Sequence, residues 1–278
     1  METLAGKNVM VTGAGGGLGR AICHAFAREG ADIIAVDIDA EEAESTAALV
    51  RSMNCSCATY RMDATAKDDV KEKVEKILSE HSRVDVLMNC VGIGAGGRID
   101  QFPIEAWERA VSINLWGTLL PIYFLLPHMI ERRQGHIATI SSGSGLMATP
   151  FTAPYNTTKF ALVGLGDSLR AELSGYGIGV TTICPTAVRT KFMERALTVA
   201  ESSFDRKMHR MLLKMWESAV EPEKAAAIII KAVKRNKPLA LIGGGIKVLY
   251  FLRRMFPGFY YALIGFMGKM ALKMSERG

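Results

Sequence analysis

Acidic residues nearly vanish from the end of this 278-residue chain: residues 231–278 carry ten Lys/Arg and one acid, Glu276. The net charge of +6 therefore divides into +9 there and −3 elsewhere, where 24 cations face 27 acids. Paired cysteines are missing too. Cys23, Cys55, Cys57, Cys90 and Cys184 form an odd set without C-x2-C spacing, which argues against a disulfide scaffold or a zinc module and for reduced packing thiols. No metal site is expected. Internal repeats, low-complexity tracts and Gly/Ser linkers are absent, so nothing splits the chain into modules. With 49% hydrophobic and 22% charged residues the composition is globular, and a disordered or collagen-like chain is excluded. No signal-peptide pattern precedes the first strand-like run, which begins by Lys7, so a cytoplasmic start is expected.

Short β-rich runs alternate with longer amphipathic ones, the pattern of βαβ units feeding a parallel sheet. The runs predict strands over Lys7–Thr12, Asp32–Asp37, Ser56–Asp63, Val84–Asn89, Gly135–Ser141, Ile178–Cys184 and Pro238–Ile242. Helices are expected over Gly17–Glu29, Ala40–Met53, Ala66–Glu80, Ile104–Arg133, Thr152–Gly175 and Glu221–Asn236. The fold class this implies is α/β, a Rossmann-type doubly wound parallel sheet of seven strands. It fills one domain, residues 1–242, followed by an apolar, basic helical tail over 243–278. Ala110–Ile130 has no formal charge across 21 residues, a length that could span a bilayer. It holds Ser112, Asn114, Gly117, Pro121 and Pro127 and lies inside the βαβ alternation, so packing on the sheet is the expectation.

After the first strand comes a glycine run, Thr12 to Gly19, opening into a helix. Glycines let a pyrophosphate approach the backbone, and the helix N-terminus offers unpaired N–H groups and a positive dipole end. Asp37 ends the second strand 18 residues after Gly19. A carboxylate there accepts hydrogen bonds from a ribose diol and repels a 2′-phosphate. Neither Ile38, Asp39 nor the loop before Arg20 supplies a cation, so NAD is favoured over NADP.

Tyr155 and Lys159 stand four residues apart on one helix face. A tyrosine titrates near 10 and needs a neighbouring positive charge to act as a base at neutral pH. Ser141 and Ser142 end a strand shortly before, which brings a hydroxyl to the sheet edge where such folds bind ligands. With these motifs in order, Leu4 to Ile242 resembles the short-chain dehydrogenase/reductase family, in particular its lipophilic-alcohol and hydroxysteroid members. The resemblance implies Ser142, Tyr155, Lys159 and Asn114 as the catalytic set. Tyr155 would be the general base, Ser142 would hold the substrate oxygen, Lys159 would lower the tyrosine pKa and bind the nicotinamide ribose, and Asn114 would anchor a proton-relaying water. It implies cofactor contacts at Gly13, Gly17, Leu18, Gly19, Asp37, Asp63, Ala64, Asn89, Tyr155, Lys159, Pro185, Val188 and Thr190. The chain departs from the family pattern at Asn89-Cys90-Val91-Gly92, where NNAG is usual, and at Pro185-Thr186, where PG is usual. Thr186 removes a flexible glycine and is expected to alter the loop beside the nicotinamide.

Residues 190–219 would form a substrate lid rich in Phe192, Met193, Leu197, Phe204, Met208, Met211, Leu212, Met215 and Trp216. Such side chains suit a bulky apolar ligand, as do Leu146, Met147, Pro150 and Phe151. A steroid, retinoid or long-chain alcohol is the expected substrate class. The tail's longest uncharged run, Met255–Gly268, is 14 residues, too short to cross a bilayer. Cations rimming apolar helix faces, Lys247 with Arg254 and Lys269 with Lys273 and Arg277, suit a peripheral position on anionic lipid. Folding over the active site is the alternative for the same segment. Nucleic acid is not an expected partner, because the aromatic residues lie apart from the basic ones. The resemblance implies a homodimer or homotetramer. Two other functions compete: an NADPH-dependent ketoreductase of long acyl chains, and a non-catalytic NAD-sensing membrane scaffold.

Overall fold

A computed structural model describes residues 3–198 and 219–276. Nine strands are described: β1 (Asn8–Thr12), β2 (Asp32–Asp37), β3 (Cys57–Arg61), β4 (Val86–Asn89), β5 (Ala95–Gly96), β6 (Gly135–Ile140), β7 (Ile178–Pro185), β8 (Leu197–Thr198) and β9 (Leu239–Ile242). Seven of them form a sheet in the order β3-β2-β1-β4-β6-β7-β9 with every pair parallel. β5 and β8 make a separate two-residue pair beside it. The order reverses between β1 and β4, and their C-terminal ends open the crevice where doubly wound sheets hold ligands.

The flanking helices are α1 (Gly17–Arg28), α2 (Ala40–Arg51), α3 (Lys67–His81), α4 (Ile104–Val111), α5 (Gly117–Glu131), α6 (Ala153–Leu173) and α7 (Pro222–Lys234). Alternate residues of each strand face opposite layers. Val9 and Val11 of β1 enter a core with Ile22 and Phe26 of α1 and Ile229 and Val233 of α7. Met10, between them, enters the other core with Val70 and Val74 of α3 and Leu125 and Met129 of α5. Burial on both faces explains why these strands read as continuous apolar runs. Asp39 starts α2, its carboxylate accepting from the Glu41 and Glu42 N–H groups.

The expected single helix over Ile104–Arg133 is interrupted by a π-helical turn, Ser112–Trp116, with Asn114 at its centre. Pro121 of α5 has no N–H to give Gly117, and the Thr118 hydroxyl takes the Asn114 carbonyl at 3.0 Å, so regular pairing lapses there. By length and composition Ile104–Glu131 could cross a membrane. Here Leu120, Ile122, Leu125 and Met129 are buried in the second core, as the sheet-packing expectation requires.

Beyond β9, Gly243 and Gly245 at φ +110° and +75° turn the chain into α8 (Ile246–Met255) and α9 (Pro257–Glu276).

Candidate active site

The C-terminal ends of β1, β4, β6 and β7 surround a cavity of about 380 Å³. On one side lies the glycine loop. Gly13 adopts φ +68°, and a methyl group on it would stand 3.1 Å from the Cys90 carbonyl; one on Gly19 would stand 2.0 Å from the Gly13 oxygen. Only glycine fits either place. The loop thus leaves a bare backbone cradle in front of the α1 N-terminus, whose size and donors fit the pyrophosphate of a dinucleotide.

Gly13, Gly17, Leu18, Gly19, Pro185, Val188 and Thr190 line this cavity together with Ser142, Tyr155 and Lys159. Asp37 lies at the cradle's edge: one carboxylate oxygen accepts from Gly15 N at 2.8 Å, the other from Asp39 N at 3.1 Å. Glu42 joins the lining and pairs with Arg20 at 2.6 Å, so the cation nearest this corner already has a carboxylate partner. Asp63 is part of a tight turn, its carboxylate accepting from the Thr65 N–H and hydroxyl, with Ala64 buried next to it. Asp63, Ala64 and Asn89 stand outside the lining. Asn89, at the end of β4, is buried with neither its amide nitrogen nor its oxygen partnered among the described residues, a costly arrangement that a polar group at this edge would relieve.

Tyr155 and Lys159 reach the cavity from the first turns of α6. Lys159 is 2% exposed; its ammonium donates to the Ile140 carbonyl at 3.0 Å and sits 5.6 Å from the Tyr155 ring centre. Burial pulls the Lys159 amine down to about 8. Burial also pushes the Tyr155 phenol up to about 12, against the opposing pull of a hydrogen bond with Ser142. Ser142 itself follows β6 and caps the short turn after it, its hydroxyl accepting from Ser144 N. The Phe192 ring stands 6.0 Å from that of Tyr155, closing the cavity on the lid side.

Asn114 is fully buried behind this group rather than in the lining. Its amide clasps the Ile93 peptide, accepting from the N–H at 2.8 Å and donating to the carbonyl at 3.0 Å, and donates to Thr158 as well. Leu146, Met147, Pro150 and Phe151 also stand outside the lining, and Leu146 is buried. Of the residues expected to form a lid, Phe204, Met208, Met211, Leu212, Met215 and Trp216 lie outside the described residues. Thr186 lines the cavity and bonds the Ile242 carbonyl through its N–H at 2.9 Å and its hydroxyl at 3.3 Å. The threonine in place of the family's usual glycine is therefore pinned to β9. Sequence reasoning missed this tie and the Glu42–Arg20 pair, which join distant segments and leave no local signal. No cluster of His, Cys, Asp and Glu suited to a metal occurs among the described residues.

The profile of the family described as short chain dehydrogenase matches residues 7–199. This chain belongs to the short-chain dehydrogenase family. Its members are oxidoreductases acting on CH–OH groups with a nicotinamide cofactor. The chain is 33% identical to a probable oxidoreductase, EphD, of Mycobacterium tuberculosis over 254 residues, 90% of this chain and 43% of that protein. It thus spans less than half the length of that relative. It is 30% identical to a Drosophila melanogaster dehydrogenase/reductase SDR family protein 7-like over 98% of this chain and 83% of the relative. It is 27% identical to rat 17-beta-hydroxysteroid dehydrogenase 13 over 92% and 81%. Among solved structures, a short-chain dehydrogenase/reductase from Burkholderia phymatum in complex with NAD superposes with a TM-score of 0.85 at 24% identity, over 91% of this chain and 95% of that one. The seven-stranded parallel sheet and its flanking helices thus have the short-chain dehydrogenase fold.

Proposed function

We propose that this protein is an NAD-dependent dehydrogenase that interconverts a secondary alcohol and a ketone on a lipophilic substrate. The observation that carries the reading is the convergence of Ser142, Tyr155 and Lys159 on one cavity with the glycine cradle. A bound nicotinamide dinucleotide would supply the hydride acceptor or donor. Gly13, Gly17, Leu18 and Gly19 would hold its pyrophosphate, Asp37 its adenosine ribose, Asp63, Ala64 and Asn89 its adenine side, and Pro185, Val188 and Thr190 its nicotinamide side. Two carboxylates at the ribose corner, Asp37 and Glu42, support NAD over NADP, since each repels a 2′-phosphate.

In the oxidation direction the Tyr155 phenolate takes the proton of the substrate hydroxyl as general base. Ser142 holds the substrate oxygen through its own hydroxyl. The Lys159 ammonium favours the phenolate and is placed to hold the nicotinamide ribose. Asn114 fixes the π turn and the Ile93 peptide behind Lys159 and is the proposed anchor of the proton relay. Phe192, Val188 and Leu18 give the cavity apolar walls, which together with the rat hydroxysteroid relative supports a steroid, retinoid or long-chain alcohol as substrate class.

A peripheral membrane position belongs to the same proposal. On α8 and α9, Val248, Phe251, Met255, Phe259, Tyr261 and Phe266 are 58–63% exposed, and Lys247, Arg254, Lys269 and Lys273 border them. Apolar surface rimmed by cations fits an anionic bilayer. Trp116 and Tyr123, exposed near the π turn, support a homo-oligomer through α5. The test is a panel of steroid, retinoid and long-chain alcohols followed by NADH absorbance. Turnover with NAD and at least tenfold less with NADP is expected. Equal or better turnover with NADP would favour the ketoreductase alternative, and none across the panel the non-catalytic scaffold.

A further inference from the structure

The two C-terminal helices meet the body beside Ser142, beside Lys159 and in the connection between Ser142 and Tyr155. Ile246 opens α8 and is fully buried; a methyl group on Gly143, the residue after Ser142, would come within 2.6 Å of its Cδ1. The Arg253 guanidinium lies over Phe160, the residue after Lys159, at 4.8 Å from the ring centre, and over Tyr260 at 5.4 Å. The Tyr260 hydroxyl accepts a hydrogen bond from Ala148 N at 2.9 Å. Ala148 lies midway between Ser142 and Tyr155.

Tyr260 stands apart from its neighbours. It is 6% exposed, whereas Phe259 and Tyr261 are 58% and 63% exposed, so α9 turns this one aromatic inward. The connection it touches is also tied within itself and to α6, by Met147 N to Gly143 O and the Asn156 amide to Thr149 O, and to the segment after β5, by Gly97 N to Phe151 O. Phe151 holds φ +61°, a conformation rare for a bulky side chain that persists only where its surroundings impose it. The bond from Ala148 joins this constrained segment to a residue 112 positions away.

We propose that Tyr260 is a positioning residue that, with Arg253 stacked between it and Phe160, holds the Ser142-to-Tyr155 connection against the C-terminal helices. The helices thereby set the substrate side of the site. Ser142 and Lys159 are themselves held by β6 and α6, so loosening the connection alters substrate capture and leaves the reacting groups in place. Removing the Tyr260 hydroxyl strips the Ala148 N–H of its acceptor, a loss on the order of fivefold in an equilibrium.

The test compares Tyr260→Phe and Arg253→Met with Tyr261→Phe, whose side chain is exposed. Hydrogen exchange over residues 143–152 is measured with NADH affinity by fluorescence and with kinetics on a bulky and a small secondary alcohol. In Tyr260→Phe the Ala148 amide is expected to exchange about fivefold faster, and the KM for the bulky alcohol to rise by a similar factor, while kcat and NADH affinity hold. Arg253→Met moves the same readouts in the same direction, and Tyr261→Phe moves none. Unchanged exchange in Tyr260→Phe, or a fall in kcat at constant KM, would overturn the proposal. The kinetic arm rests on the dehydrogenase reading and the exchange arm does not, so an enzyme inactive on every alcohol refutes that reading while exchange still decides the role of Tyr260.

Discussion

Tyr155 and Lys159 are shifted in opposite senses, and pH separates the two. Burial pushes the phenol up to about 12 and the amine down to about 8. In the proposed reaction alcohol oxidation uses the phenolate, so its rate should climb with pH from 6 to 8, by up to about tenfold per pH unit. Above about 8, Lys159 loses the charge that favours the phenolate, and the climb should flatten. Ketone reduction uses the phenol and should stay level from pH 6 to 8. A kcat/KM profile in both directions checks this; an oxidation rate that falls between pH 6 and 8 would refute the assignment. Ser142, Tyr155 and Lys159, which the fold brings to one cavity, were legible as candidates in the sequence because each sits at a fixed offset from a strand end or helix start. Asn114 was legible as a position, but its clasp on Ile93 was not, because that contact depends on a helical defect. Thr186 was visible as a departure, and its bond to Ile242 was hidden because β9 lies far along the chain.

At the scale of elements, apolar runs bounded by glycine and polar residues located all seven strands of the main sheet, and Asp32–Asp37 carries the predicted bounds. Both faces of these strands are buried, so hydrophobicity alone marked them. The β5–β8 pair, two residues each, is too short to carry a period. The π turn also escaped, since a 3.6-residue pattern continues through a single wide turn. β6 carries a testable consequence of central burial. His136, 2% exposed and 2.9 Å from the Thr181 hydroxyl, is lowered by burial to about 4 from its ordinary 6.5. Between those values the unfolded chain binds the proton and the folded one does not, so stability is full above pH 6.5 and drains as pH falls toward 4. The difference amounts to about 3 kcal/mol, most of it gone by pH 5. Urea unfolding at pH 7 and 5 should show a steep loss in the wild type and a flatter one in His136→Gln; identical slopes would contradict the argument.

For the whole molecule, the division of charge acquires a place in space. The mildly acidic part is residues 1–230, and the basic end comprises the last turn of α7, β9 and two helices that face inward with Ile246 and Tyr260 and outward with apolar and cationic side chains. The two sequence expectations for the tail, lying on a membrane and folding over the site, are thus compatible. On vesicles containing phosphatidylserine, Lys269→Glu/Lys273→Glu should weaken binding by at least about 30-fold, at roughly 1 kcal/mol per lost cation. Equal binding by the double variant, or wild-type binding that ignores anionic lipid, would remove the membrane from the account. The central claim concerns the reaction itself. It is tested most directly by NADH formation from a lipophilic secondary alcohol with the wild type and Tyr155→Phe: a loss of about 10²- to 10⁴-fold in kcat/KM with NADH affinity retained is predicted, and a Tyr155→Phe enzyme as active as the wild type would contradict it.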